Sequence, residues 1–175
     1  FRRVLFRSWQ AIAVGLRGVG RLLELGSAAH TAYQQRVVAL AGPALDHLGW
    51  QPVAGEGDLA AKLRGTLVGM VAVLGGDDDA VARCRTILDA STSGSGDVDP
   101  ELVAAATTAV ASHGTDADHA AFVERFRTAS TPQEQLRYLY ALADFPEATQ
   151  LQRTIDLALS GEVKTQNAPF LLNRC

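Results

Sequence analysis

The sequence predicts an all-α fold in which antiparallel helix pairs stack as a HEAT-like solenoid. Three observations carry that expectation. No segment shows the period-two alternation of apolar and polar residues that a half-buried strand requires. Helix start and stop signals recur along the whole chain, each followed by apolar residues spaced three and four apart. From residue 58 onward, helix pairs open near 58, 100 and 132, a repeat of ~40 residues, and a unit of that size cannot bury its apolar face without a neighbour.

Taken in order, the first helix is expected from Trp9 to Glu24, closed by Gly26. Ser27 can cap a second, which Gly42-Pro43 should kink or break before Leu48, because proline lacks the N–H that a helix interior uses. Residues 49–52 (Gly-Trp-Gln-Pro) read as a loop. A helix over 58–74 places Leu59, Leu63, Leu67, Met70, Val71 and Leu74 on one face, and Gly75-Gly76 stops it. Asp77, Asp78 and Asp79 open the next, with negative charge at the positive end of the helix dipole, and that helix should end near Ala90. Residues 91–96 (Ser-Thr-Ser-Gly-Ser-Gly) have the composition of a flexible loop. Asp99-Pro100-Glu101 is a strong helix start, Gly114 the matching stop, and Asp116 the expected cap of a helix with Phe122 and Phe126 one turn apart.

The richest stretch is 131–172. Thr131 suits an N-cap, Pro132 the first helical position, and Glu134 would complete a Thr-x-x-Glu capping box. Leu136, Leu139, Tyr140 and Ala143 then share a face. Asp144-Phe145-Pro146 should break the helix, since the residue before a proline avoids helical backbone. A further helix is expected from about Glu147, with Leu151, Ile155, Ala158 and Leu159 on the stripe that faces Leu136 and Leu139; Ser160-Gly161 ends it, and another begins near Thr165.

Composition narrows the class. With 175 residues the chain can form one domain with a real core, or part of a larger one. Hydrophobic residues make up 47% and charged residues 20%, which is globular rather than disordered. A net charge of −3 provides no basic surface for nucleic acid. The apolar runs fall short of the ~20 residues a membrane span needs, so no membrane partner is expected. Cys84 lies in a helical pattern with Val81 and Leu88 and reads as a small core residue. Cys175 is terminal, and the pair suggests no disulfide framework, so a reducing compartment such as the cytoplasm is expected.

The phrase L-x-A-L-A-D-F-P…L-A-L-S-G-E-V-K-T-Q-N-A-P-F-L-L resembles the C-terminal helical domain of the M1 zinc aminopeptidases, the aminopeptidase N type. So do L-G-W-Q-P-x-x-G-E at 48–56 and S-W-Q-A-I-A-x-G-L at 8–16. The likeness runs from roughly Ser8 to Leu172, and E-V-K-T-Q-N is its most specific part. It implies a right-handed α-α superhelix over residues 8–175, a domain fragment truncated at both ends, with residues 1–7 set apart as a candidate non-native lead-in. The parent would be a zinc enzyme that removes N-terminal residues from peptides.

The catalytic equipment of that family is missing from this sequence. His30, His47, His113 and His119 are followed by Thr, Leu, Gly and Ala, so none opens His-Glu-x-x-His, and Met70 does not sit in Gly-x-Met-Glu-Asn. No cofactor is therefore expected in this chain; zinc would belong to the parent's catalytic domain, and that domain and the peptide substrate are the implied partners. His113 and His119 read as capping or solvated histidines, and Asp77 to Asp79 lack the alternating ligands of a calcium loop. Gly15, Gly18 and Gly20 have phosphate-loop spacing but lie within a helical pattern with no strand before it. Arg137, Tyr138 and Tyr140 could line a groove, with Tyr140 the more core-like. Lys164, Gln166 and Asn167 cluster at an expected helix start, where outward N–H groups favour anions. The resemblance puts this junction against the peptide cavity or the catalytic domain. Lys164, Gln166, Asn167 and Arg137 are thus the expected substrate-binding residues, a solvated polar cap being the other reading. A free-standing α-solenoid interaction module is the alternative for the whole chain.

Overall fold

The computed structural model describes residues 2–93 and 98–175. Among them every regular element is helical, as expected. The chain forms two compact units, Phe1–Ala109 and Val110–Cys175.

In the first unit, α1 (Arg2–Gly20) starts earlier and stops earlier than the sequence suggested. α2 (Ala28–Leu48) is capped by the Ser27 hydroxyl, which accepts the His30 N–H, and its Tyr33 hydroxyl donates to the Leu16 carbonyl at 2.9 Å. The expected break at Gly42-Pro43 does not occur: α2 runs through to Leu48. The carbonyl four residues back that Pro43 leaves without a donor belongs to Ala39. Both residues are exposed, so water can serve it, while Val37, Ala41 and Leu45 hold the opposite face in the core.

The helix expected over 58–74 is in fact two elements, α3 (Asp58–Val68) and a π-helical segment (Gly69–Leu74). Leu63, Leu67, Met70 and Val71 are buried as expected, but the wider π turn rotates the residues beyond it, and Leu74 is only half-buried. The turn closes at Gly75, whose N–H reaches the Met70 carbonyl five residues back. A Cβ at Gly75 would lie 2.6 Å from both Val38 Cγ2 and the Val71 carbonyl oxygen, so only glycine fits. The Asp77 carboxylate caps α4 (Asp78–Ser93) through the Ala80 N–H. α4 outlasts Ala90 because the Ser91 and Thr92 hydroxyls bond back to the Leu88 carbonyl; the remainder of the expected loop, 94–96, lies outside the described residues. α3 packs on α1 and α2, and the π segment on α2 and α4. α5 (Pro100–Ser112) opens where expected, with Asp99 Oδ1 accepting the Glu101 and Leu102 N–H groups.

The second unit holds α6 (Asp116–Thr128), α7 (Pro132–Ala141), a 3₁₀ turn (Leu142–Asp144), α8 (Ala148–Leu159) and α9 (Ala168–Leu172). α6 packs most extensively on α7. The cap of α6 is Thr115 rather than Asp116; its box partner is Asp118. Thr131 does cap α7, but the Glu134 carboxylate reaches one residue further back, to the Ser130 N–H and hydroxyl, so the reciprocal half of the expected box is replaced. Gly114 ends α5 for a packing reason: a Cβ there would sit 2.3 Å from the Phe145 ring. On α8 the buried face is Gln150, Thr154, Leu157 and Ala158, while Leu151 and Ile155 are half-buried and Leu159 is 70% exposed. The expected apolar stripe is displaced by about one residue, because two polar side chains find buried partners. On α7 the core tyrosine is Tyr138, whereas Tyr140 is half-buried beneath the Arg174 guanidinium.

Candidate functional site

The stretch that carries the most specific family phrase, E-V-K-T-Q-N, is held at Glu162 and Val163 within it and at Leu171 and Arg174 just beyond it. The Arg127 guanidinium on α6 grips Glu162 with Nε at 2.8 Å and Nη2 at 3.0 Å, and this hydrogen-bonded pairing holds the Glu162 carboxyl below its ordinary value. Val163 and Leu171 are buried, and Arg174 approaches Asp144 at 3.6 Å. Between these anchors the backbone turns, and the Lys164 carbonyl accepts the N–H groups of Asn167 and Ala168. Those two donors are therefore occupied by the chain itself. α9 begins only at Ala168 and is five residues long, so it adds little dipole at this point.

Of the side chains expected to touch substrate, Lys164 and Gln166 are exposed, and Asn167 is half-buried as the N-cap of α9. Arg137 is half-buried on α7 beside Tyr138. Among the described residues, no hydrogen bond or ion pair joins Arg137 to the 164–167 turn, and neither Arg137 nor Lys164 has an ion-pair partner. The arginine bound at the tyrosine is Arg125, whose Nη1 donates to the Tyr138 hydroxyl at 3.1 Å while the guanidinium lies 5.5 Å from the ring centroid.

The second unit also holds a buried polar network that the sequence reading missed. His119, expected in solvent or at a cap, is 2% exposed. Its Nε2 is 3.0 Å from the Thr154 hydroxyl, which also lies within reach of the Leu142 and Gln150 carbonyls at 3.2 and 3.0 Å. A hydroxyl has one proton, so Thr154 donates to a carbonyl and accepts from His119, which assigns the proton to Nε2. Gln150 donates to the Gly114 carbonyl and accepts the Glu147 N–H. Phe145 packs edge-on against His119 at 5.0 Å and against Phe122 at 5.4 Å. Burial pushes the His119 imidazolium toward the neutral form, and nearby Arg153 adds to the effect. The signal was present: His119, Phe122 and Phe126 are spaced three and four apart, so the histidine belongs to the apolar stripe.

In the first unit the other family phrase, L-G-W-Q-P-x-x-G-E, wraps one buried cation. Arg64 on α3 is fully buried; its Nε donates to the Gly49 carbonyl at 2.8 Å, Nη2 to Glu56 Oε2 at 2.7 Å, and Nη1 to Glu56 Oε1. Gly49 and Gly55 have φ of 77° and 81°, a region L-residues avoid, which lets the loop fold its polar atoms inward. Arg83 lies 5.3 Å over Trp50 and holds the same loop from outside. An Arg six residues into a helix gives no sequence signal of burial, and so was missed.

The residues present do not fit a zinc ion. Among the described residues no three His, Cys, Asp or Glu side chains are grouped to hold a metal. His119 is bound to Thr154, and burial pushes the Cys84 thiol up to about 12, far from the thiolate a metal needs. Among the described residues no helix is long and apolar enough to cross a membrane.

A fold that is helical throughout the described residues, with the phrases at 48–56 and 160–172 serving as anchors, defines a helical domain. The chain belongs to the ERAP1-like C-terminal domain family, which it matches over residues 5–175. It is 33% identical over 133 residues to Aminopeptidase M1 of Arabidopsis thaliana, covering 72% of this chain and 15% of that protein. It is 30% identical over 136 residues to Aminopeptidase M1-A of Oryza sativa subsp. japonica, covering 74% of this chain and 15% of that protein. The expected kinship with the C-terminal domain of M1 aminopeptidases therefore holds, and the chain spans about 15% of the length of these relatives.

Proposed function

We propose that this chain serves as the helical domain of a zinc-dependent, cytoplasmic M1 aminopeptidase that removes N-terminal residues from peptides. The domain shapes the peptide cavity over the catalytic domain and takes no part in bond cleavage itself. The observation that carries this reading is the family match over nearly the whole chain, with relatives named as aminopeptidases. The lack of a zinc-peptidase motif in the sequence assigns the chemistry to another part of the parent.

Lys164 is the residue proposed to meet substrate, with Gln166 and Asn167 in the same turn and Arg137 on α7 as a further candidate. Its ammonium is exposed and has no ion-pair partner among the described residues, so it is available to a peptide's C-terminal carboxylate or an acidic side chain. In the full-length parent, Lys164→Ala is expected to lower kcat/KM for a long peptide by at most ~1.5–3 kcal/mol, the range for a hydrogen bond to a charged group, and to spare a dipeptide-sized chromogenic substrate. An unchanged ratio of the two values refutes the contact; equal damage to both points to domain docking. The reading frame upstream of Phe1 tests the wider proposal. An in-frame His-Glu-x-x-His supports it, and a start codon close upstream with no such motif favours a free-standing interaction module.

A further inference from the structure

We propose that the cleft between α1, α3 with its π-helical continuation, and α5 binds a small amphipathic carboxylate, its head group held by Arg17 and Lys62. This inference concerns the first unit alone and does not depend on the parent's activity. The cleft has a volume of about 650 Å³, the size of a small-molecule site. Its apolar wall includes Phe6, Ala13, Met70, Val73, Leu74 and Ala104. Three of these belong to the π-helical segment, a rare local geometry that recurs at functional sites.

Arg17, Lys62 and Gln10 line the same cleft. Both cations are exposed, and among the described residues neither has an ion-pair partner. Glu101 lines the same cleft yet pairs with neither. Two cations against one carboxylate leave a net positive lining beside an apolar wall, in a chain whose net charge is −3. A monoanion with an apolar body matches both features; a cation or a neutral apolar molecule matches only one.

Gly65 and Gly69 both line this cleft, and they differ in a useful way. A Cβ at Gly65 would meet the Glu101 carbonyl oxygen at 3.1 Å, whereas one at Gly69 would meet nothing within 4 Å. Gly69 has ordinary right-handed helical backbone (φ −61°, ψ −36°), so a side chain there projects into open space without backbone strain. Gly69→Leu thus obstructs the cleft while leaving both cations in place.

The test is calorimetric titration of the chain with octanoate, octanol, octylammonium and acetate. Octanoate is expected to bind saturably at one site and at least tenfold more tightly than the other three. Lys62→Gln and Arg17→Gln should each weaken it several-fold, and Gly69→Leu should abolish it with the helical circular dichroism unchanged. The proposal is overturned if octanoate shows no saturable binding, or if octanol or octylammonium binds equally well. It is also overturned if folded Gly69→Leu binds as the wild type does. Should Gly69→Leu fail to fold, the two exposed cation variants decide the question, and unchanged octanoate affinity in both rejects the site.

Discussion

Removing the Glu56 carboxylate tests the account of Arg64 most directly. Arg64 has no exposed side-chain surface and Glu56 retains 16%, so the pair is largely shielded from water. In Glu56→Gln the guanidinium keeps its bond to the Gly49 carbonyl but becomes a buried cation without a counter-charge, a change expected to destabilise the first unit by ~3–5 kcal/mol. Adding Arg64→Met to Glu56→Gln removes both charges and fills similar volume. The double variant should be much milder, close to the ~1 kcal/mol of one lost net hydrogen bond at Gly49. The pair also predicts an acid limb. Hydrogen bonding from Arg64 holds the Glu56 carboxyl below its ordinary 4.5. A carboxyl depressed in the folded state contributes stability that is present above its unfolded value and is lost as pH falls through the folded one. The wild type should therefore weaken below pH 4.5 through this group, and Glu56→Gln should lack that component. The chain has two tryptophans, Trp9 and Trp50, both in the first unit, so tryptophan fluorescence during urea unfolding reads that unit. A loss in Glu56→Gln below ~0.5 kcal/mol, the size of an ordinary surface change, would falsify the clamp. So would a penalty for the double variant as large as that for Glu56→Gln alone.

The remaining expectations concern the second unit and the core thiol. Leu157→Ala should cost ~2–5 kcal/mol as a core truncation, whereas Leu159→Ala, at a residue 70% exposed, should be near neutral; urea unfolding followed by circular dichroism separates them, and the reverse order would restore the stripe read from sequence. Burial lowers the His119 value below 6.5, so the neutral form belongs to the folded state. The associated stability should be complete above pH 6.5 and decline as pH falls below it. Thr154→Val, which strands the Nε2–H, should cost ~1–3 kcal/mol, and a flat stability profile between pH 7 and 5 would contradict the His119 assignment. Cys84, with its thiol pushed up to about 12, should resist a thiol reagent at pH 8 until the chain unfolds, while exposed Cys175 reacts at once; mass mapping of the labelled residue gives the answer.

The sequence by itself determined the helical class, most helix starts and the family. Those signals are local: a capping side chain at Ser27, Asp99 or Thr131 meets an N–H two or three residues away, so the information lies within one turn of chain. The phrases at 48–56 and 162–167 were legible as family marks, and the expected substrate residues could be named from them, but not the structural work they perform. That depends on Arg64 eight residues after Glu56 and Arg127 thirty-five before Glu162, partners that spacing rules cannot select. Tertiary structure also decided which side of α8 is inside. Apolar spacing favours Leu151, Ile155 and Leu159, yet Gln150 and Thr154 take the buried positions. Their side-chain polar atoms find partners in the Gly114 carbonyl, the Glu147 N–H, His119 and the Leu142 carbonyl, and a polar group so satisfied loses little by leaving water. For the same reason α2 passes through Pro43. The broken bond faces water while three packed residues hold the other side, a balance that exists only once the neighbouring helices are in place.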